Sequence, residues 1–297
     1  MTAVAIGRFH LERVADIEPV ALPTKRGFPE LTPERVRTYL AELGPKFINP
    51  ETLDLFISFH TWIIRRGDRV ILVDLCIGDH KDRPNRPDWH RRSSDFLDKL
   101  ARAGVKPADV DAVLCTHLHA DHVGWNTKLE NGRWVPTFPN ARYLMAETEF
   151  NHWKAKHARE GDAMNHGSFV DSVLPVVASG QADMVSTSHQ VFRDVDSGVH
   201  LEGMPGHTPG TVLIHVEDGA QHGVFTGDIL HHPFQLACPD MHSKYCEDPA
   251  LSAKNRLALC ERYADTTSRI LTAHFPDPST GFIERDGGRF RFRFDPA

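Results

Sequence analysis

The chain has 297 residues, enough for one large domain or two small ones with a core that needs no disulfide. It is 40% hydrophobic and 25% charged with a formal net charge of −6, so it reads as neither disordered, collagenous nor coiled-coil, and it lacks the overall basic footprint of a nucleic-acid binder. Nineteen histidines stand beside five scattered cysteines with no CxxC pair, which turns attention from disulfides and cysteine-rich zinc knuckles to imidazole chemistry.

The N-terminus shows no basic segment followed by an apolar core, and the longest apolar runs, such as 69–78, fall far short of a membrane span. The expected setting is the reducing cytoplasm, with neither membrane nor nucleic acid as partner. Residues 1–50 are punctuated by prolines and read as an N-terminal extension that packs on the main domain or on a partner subunit. A strand over 4–13 and a short helix near 33–43 are predicted there. Residues 51–297 form the main domain. Two strand-like runs, 55–65 and 69–75, flank Gly67-Asp68, a hairpin signal. A charged, proline-rich loop follows over 78–92. Ser93 or Ser94 can cap a helix over 95–103, whose Phe96, Leu97 and Leu100 share one face. Residues 110–115 read as a buried strand.

The second half repeats this rhythm. Strands are predicted over 141–145, 189–192, 199–202, 211–216, 222–225 and 269–272, with helices over 147–159, 163–176 and 248–262. The tail 289–294, RFRFRF, alternates strictly and reads as an edge strand with one buried aromatic face. Groups of strands separated by helices point to sheets covered by helices in one α/β domain.

Chemistry gathers where the strand 110–115 ends. Thr116-His117-Leu118-His119-Ala120-Asp121-His122 offers four potential ligands within six residues, and alternation puts His117 and His119 on the same side of the chain. One tetrahedral zinc cannot easily take all four from so short a run. Two adjacent metals can, each taking a pair and recruiting ligands from elsewhere. Gly206-His207-Thr208-Pro209-Gly210, Gly227-Asp228 and Ala273-His274-Phe275-Pro276 each place one such ligand just past an apolar strand. No GxSxG elbow, Walker motif or dinucleotide fingerprint is present.

The set THLHADH, GHTPG, TGD and AHF, in this order, resembles the metallo-β-lactamase superfamily. The resemblance implies an αββα sandwich of two mixed β-sheets flanked by helices, with the metals at one edge. It also implies that one ion takes His117, His119 and His207, the other takes Asp121, His122 and His274, and Asp228 bridges them together with a water or hydroxide. Asp74 matches the acidic residue that supports the ligand shell. Two divalent cations are expected, zinc first by donor type, with manganese, cobalt, iron or nickel fitting similar sets. Asp121 has a spare oxygen that can accept and return a proton.

Within the superfamily the chain is most similar to N-acyl homoserine lactonases and methyl-parathion-hydrolase-like esterases. The segments 74–78, 121–126 and 227–232 carry that likeness. It implies hydrolysis of lactones or aryl esters, with phosphotriesters as side substrates, and a homodimer. The lactonases place a tyrosine three residues after the bridging aspartate, where this chain has His231. That imidazole is read either as a group acting on the substrate or as a core residue. Trp125 and Phe234 are wall candidates or plain core, and His232 is a lesser substrate-side candidate. A thioesterase of the glyoxalase-II type is the rival reading, although the 23 residues after His274 read as strand rather than as its helical substrate domain. A phosphodiesterase or nuclease is a second rival, for which the acidic balance supplies no phosphate-gripping surface.

Overall fold

Short, wholly apolar runs form strands in the middle of a sheet, because a strand covered on both faces has no polar side to show. The computed structural model of the protein describes residues 2–296, and among them such runs organise two seven-stranded mixed sheets and a two-stranded ribbon. The first sheet has the order Ala3–Ile6, Phe9–Leu22, Leu55–Arg66, Arg69–Val73, Ala112–Leu114, Arg142–Ala146, Ala182–Val185. It begins with antiparallel pairs and becomes parallel from Arg69–Val73 onward. The second has the order Gln190–Arg193, Ser197–Gly203, Val212–Asp218, Gln221–Phe225, Arg269–Leu271, Thr280–Asp286, Arg289–Phe294. Only Gln221–Phe225 and Arg269–Leu271 pair in parallel there, and the helix Pro249–Tyr263 supplies the crossover that a parallel pair requires. Asp248 caps that helix by accepting from the Leu251 amide at 2.9 Å, and Pro249 occupies the first turn, where its missing N–H costs nothing. Its Leu259, Cys260 and Tyr263 are buried with Val224, Ile270 and Ile283 of the sheet.

The molecule divides into two compact units, one formed by Ala3–Asp16 with Phe59–His189 and the other by Ile17–Ser58 with the chain from Gln190 onward. The segment read as an N-terminal extension is therefore shared between them, with Ala3–Ile6 in the first unit and the helix Pro33–Leu43 in the second. Among the described residues no helix is long and apolar enough to cross a membrane.

Three local differences from the sequence reading have physical causes. The strand expected over 4–13 is a hairpin, because Gly7 takes a positive φ of 55° and turns the chain. The helix expected over 163–176 is broken into a 3₁₀ turn, a π-helical turn at Phe169–Val173 and the short helix Leu174–Ala178. Asn165 and His166 take left-handed φ of 49° and 57° at the break, and Asn165 spends its side chain on another loop. The ribbon of Thr127–Glu130 and Arg133–Pro136, and the strands Ala182–Val185 and Thr280–Asp286, lack a strong apolar period and escaped prediction. The tail Arg289–Phe294 is an edge strand as expected, with Phe290 and Phe292 buried.

Two features of the first unit give testable consequences. The loop after Arg69–Val73 lies backbone to backbone against the loop of Gly124. The Leu75 amide donates to the His122 carbonyl at 2.6 Å, the Gly124 amide to Cys76 at 2.8 Å and the Trp125 amide to Leu75 at 2.7 Å. A Cβ on Gly124 would stand 1.9 Å from the Ile77 carbonyl. Gly124→Ala is expected to cost roughly 3 kcal/mol by overpacking, seen as a lower denaturant midpoint at unchanged m-value.

Lys81 is fully buried, its ammonium 2.6 Å from Thr127 Oγ1 and 3.6 Å above the Trp134 ring, beside an Asp171 carboxylate that Arg83 holds at 2.6 and 2.9 Å. Burial pulls Lys81 down to about 7, with Asp171 only partly opposing it. Between pH 7 and 10 the unfolded chain then binds a proton that the folded one does not, so this lysine makes stability rise with pH. Denaturant melts at pH 7 and 9 are expected to show that increment in the wild type relative to Lys81→Met.

Candidate metal centre

The first unit presents four of the candidate ligands on a loop whose backbone is pinned. Leu118, between His117 and His119, donates its amide to Glu149 Oε1 at 3.0 Å and accepts from Asn165 Nδ2 at 2.7 Å. Asn165 Oδ1 also accepts from the Ala120 amide at 3.2 Å. Glu149 is itself fixed by the Trp153 indole N–H at 2.6 Å, and the Trp153 ring meets His119 edge-on at 5.2 Å. On this frame His117 Nε2 and His119 Nδ1 come within 2.9 Å with their rings nearly perpendicular, so two nitrogen donors point at one region. Asp121 and His122 follow on the helical turn Ala120–Val123, with ligand atoms within 4.8 Å of each other.

Asp74 explains the orientation of His122. It sits just past Arg69–Val73 with a positive φ of 51°, almost wholly buried. Its carboxylate accepts from the Thr116 amide at 2.8 Å, the Thr116 hydroxyl at 2.7 Å and His122 Nδ1 at 2.8 Å. His122 therefore carries its proton on Nδ1 and offers Nε2 as ligand.

The second unit presents the remaining three around one carboxylate. Asp228 lies in the 3₁₀ turn Gly227–Ile229, directly after Gln221–Phe225. His207 Nε2 is 3.2 Å from its Oδ2, and His274 Nε2 is 3.0 Å from its Oδ1. His231 Nε2 is also 3.2 Å from Oδ2. The His274 ring is set by its Nδ1, which donates to the Ser58 carbonyl at 3.0 Å, while the Ser58 amide returns a bond to His274 O at 2.9 Å. Gly206, just before His207, has φ 129° and runs so close to the helix Pro249–Tyr263 that a Cβ would stand 2.4 Å from the Ser252 amide. Burial disfavours charge on His207, but Asp228 outweighs it and lifts the ring to about 9. Burial prevails at His231 and lowers it to about 4.

Nitrogen and carboxylate donors of this kind, with tautomers set from behind, fit divalent cations of the zinc class. His117, His119, Asp121 and His122 in one unit, and His207, Asp228 and His274 in the other, could hold them. The substrate-side candidates separate. His231 stands at the Asp228 carboxylate, ring parallel to His274 at 5.8 Å and edge-on to Phe28 at 6.1 Å. His232, the next residue, is fully buried, its Nε2 2.9 Å from the Phe47 carbonyl and its Nδ1 accepting from the Phe234 amide at 3.4 Å. Phe234 is packed between Phe28 and Tyr39 at 4.9 and 5.4 Å. Trp125 stacks on Phe96 at 5.2 Å and lines a cavity of about 250 Å³ with Asp79, His80 and Leu97. Sequence reasoning missed Glu149, Asn165, Ser58 and Phe28, none of which carries a motif.

Residues 60–274 match the family model of the metallo-beta-lactamase superfamily. The chain belongs to this superfamily. It is 23% identical over 258 residues to a probable metallo-hydrolase of Mycobacterium tuberculosis (strain ATCC 25618 / H37Rv), covering 77% of this chain and 79% of that protein. The solved structure of AbOPH, a hydrolase in the beta lactamase superfamily, superposes with a TM-score of 0.81 at 22% identity, covering 100% of this chain and 97% of that one. AidC, a dizinc quorum-quenching lactonase solved with N-hexanoyl-L-homoserine, gives 0.81 at 18% identity with the same coverage. Two mixed sheets with flanking helices are thus the metallo-β-lactamase fold of this superfamily member, as the resemblance implied.

Removing the carboxylate behind His122 tests the role of Asp74. Asp74→Ala is expected to weaken metal binding about 10- to 100-fold in chelator competition, with Asp74→Asn intermediate.

Proposed function

We propose that the protein is a dinuclear metal-dependent hydrolase of small esters, lactones or aryl esters, with phosphotriesters as side substrates. The observation that carries the reading is the Asp228 carboxylate with three imidazole Nε2 atoms within 3.2 Å, two of them from the positions that the superfamily motifs mark. The proposed ligands are His117, His119 and His207 for one ion, Asp121, His122 and His274 for the other, and Asp228 for both. Such a pair of cations, zinc by donor type with manganese, cobalt, iron or nickel as alternatives, would bring a water's pKa toward neutrality and polarise the substrate oxygen.

The chain's own residues supply the rest. Asp121 keeps one oxygen to accept a proton and return it to the leaving group. His231 is buried with its Nε2 3.2 Å from Asp228 Oδ2, where an N–H on that nitrogen would be offered to a carbonyl or phosphoryl oxygen arriving beside the carboxylate. Phe28 packs edge-on to that ring at 6.1 Å. The fold shared with a lactonase, AidC, and with the hydrolase AbOPH supports an ester substrate.

The test is metal analysis followed by a panel of lactones, aryl esters, thioesters and phosphotriesters. Two equivalents of metal per chain are expected, with ester turnover lost on chelation and restored by zinc, manganese or cobalt. His231→Ala is expected to keep both metals and lose on the order of 100-fold in kcat, the size of one lost transition-state donor. Full ester turnover by metal-free Asp228→Ala would overturn the reading, and a clear preference for thioesters would move it to the thioesterase rival.

A further inference from the structure

A neutral imidazole has one N–H and one lone pair, so a ligand histidine needs an acceptor behind it. For His122 that acceptor is the Asp74 carboxylate, and for His274 it is the Ser58 carbonyl. His207 turns Nε2 toward Asp228, and with the lone pair of that nitrogen given to a metal ion the ring's proton would sit on Nδ1. The atom facing Nδ1 is the sulfur of Cys246, at 3.5 Å.

Cys246 is not loosely placed. Its segment is tied to the His207 loop by two backbone bonds, from the Glu247 amide to His207 O and from the Asp248 amide to Gly206 O, both 2.9 Å. Its sulfur lies 3.4 Å from Ser252 Oγ, and that oxygen accepts from Arg256 Nη2 at 3.1 Å. Arg256 is fully buried on the same helix as Ser252, and its Nε donates to the Ile229 carbonyl at 2.7 Å, one residue past Asp228. One chain of polar contacts thus runs from the imidazole of His207 through sulfur and hydroxyl to a guanidinium that also holds the Asp228 turn.

We propose that Cys246 is a positioning residue, whose sulfur accepts the His207 Nδ1 proton and fixes the tautomer and plane of that ring. Ser252 and Arg256 carry the restraint into the helix Pro249–Tyr263, so His207 and Asp228 are aimed by one support. This inference rests on the reading of His207 as a metal ligand. A thiol serves because the neighbouring hydroxyl and guanidinium favour electron density on the sulfur, and because the backbone bonds of Glu247 and Asp248 hold Cys246 beside the His207 loop.

The experiment compares wild type, Cys246→Ser and Cys246→Ala by zinc competition against a chromophoric chelator, and by proton NMR of the zinc-loaded protein. Wild type is expected to bind two ions and to show a protected His207 imidazole N–H. Cys246→Ala is expected to lose about 10- to 100-fold in affinity for one ion, to keep the other unchanged, and to lose that N–H signal. Cys246→Ser is expected to recover both, since an oxygen replaces the sulfur as acceptor. If Cys246→Ala fails to fold, as read by thermal melting of the metal-free protein, Ser252→Ala loosens the same sulfur from the other side and is expected to weaken the same ion. Wild type that binds no metal would overturn the reading of the site. Wild type with two ions, beside a folded Cys246→Ala or Ser252→Ala of unchanged affinity and N–H signal, would overturn the role of Cys246 alone.

Discussion

An imidazole that gives one lone pair to a cation carries an N–H on its other nitrogen, and burial makes an acceptor for that N–H a near requirement. Much of the architecture around the candidate ligands follows from it. Asp74 shows the cost most clearly. A carboxylate that is 4% exposed needs donors on every side, and it finds them in Thr116 and His122, both on the ligand loop. The same carboxylate that orients the ring thereby fastens the end of Arg69–Val73 to the end of Ala112–Leu114. The backbone seam between residues 75–76 and 122–125 completes that junction, and glycine at 124 is the condition for it.

The parts of this arrangement that could be read in the sequence are those where local pattern and chemistry coincide. Apolar runs announce the strands before Thr116 and Thr226, and ligands placed immediately after them need no knowledge of the distant chain. The supports are another matter. Glu149 and Asn165 reach Leu118 across 31 and 47 positions, and Ser58 reaches His274 across 216. Asn165 also lies inside a stretch whose apolar spacing suits a helix, and only a left-handed φ there turns its amide to the ligand loop. His231 and His232 mark the limit in another way. They are adjacent and chemically identical, yet one faces Asp228 and the other the Phe47 carbonyl, a choice made by the turn into Phe234–Ala237 rather than by residue type.

Buried cations recur as organisers of loops. Arg256 donates to the carbonyls of Ile229, Pro239 and Met241, so one guanidinium collects three bends of a segment with little regular structure. Arg83 does the same in the other unit, joining the His166 carbonyl to the Asp171 carboxylate beside Lys81. A planar group with five donors suits this work better than an ammonium, because it satisfies several carbonyls without moving. Removing either arginine would leave several buried acceptors unpaired at once, which is more damaging than the loss of one ion pair on a surface.

The edge strand Arg289–Phe294 bears on self-association. Phe290 and Phe292 face inward, while Arg291 and Arg293 stand on the open side and engage Glu284 of the neighbouring strand. A strand from another molecule docking along this edge would have to settle beside a row of guanidiniums already committed to a carboxylate. The second sheet therefore ends in a strand whose alternation both buries an aromatic face and sets exposed arginines on the other, a charge pattern that disfavours edge-to-edge pairing.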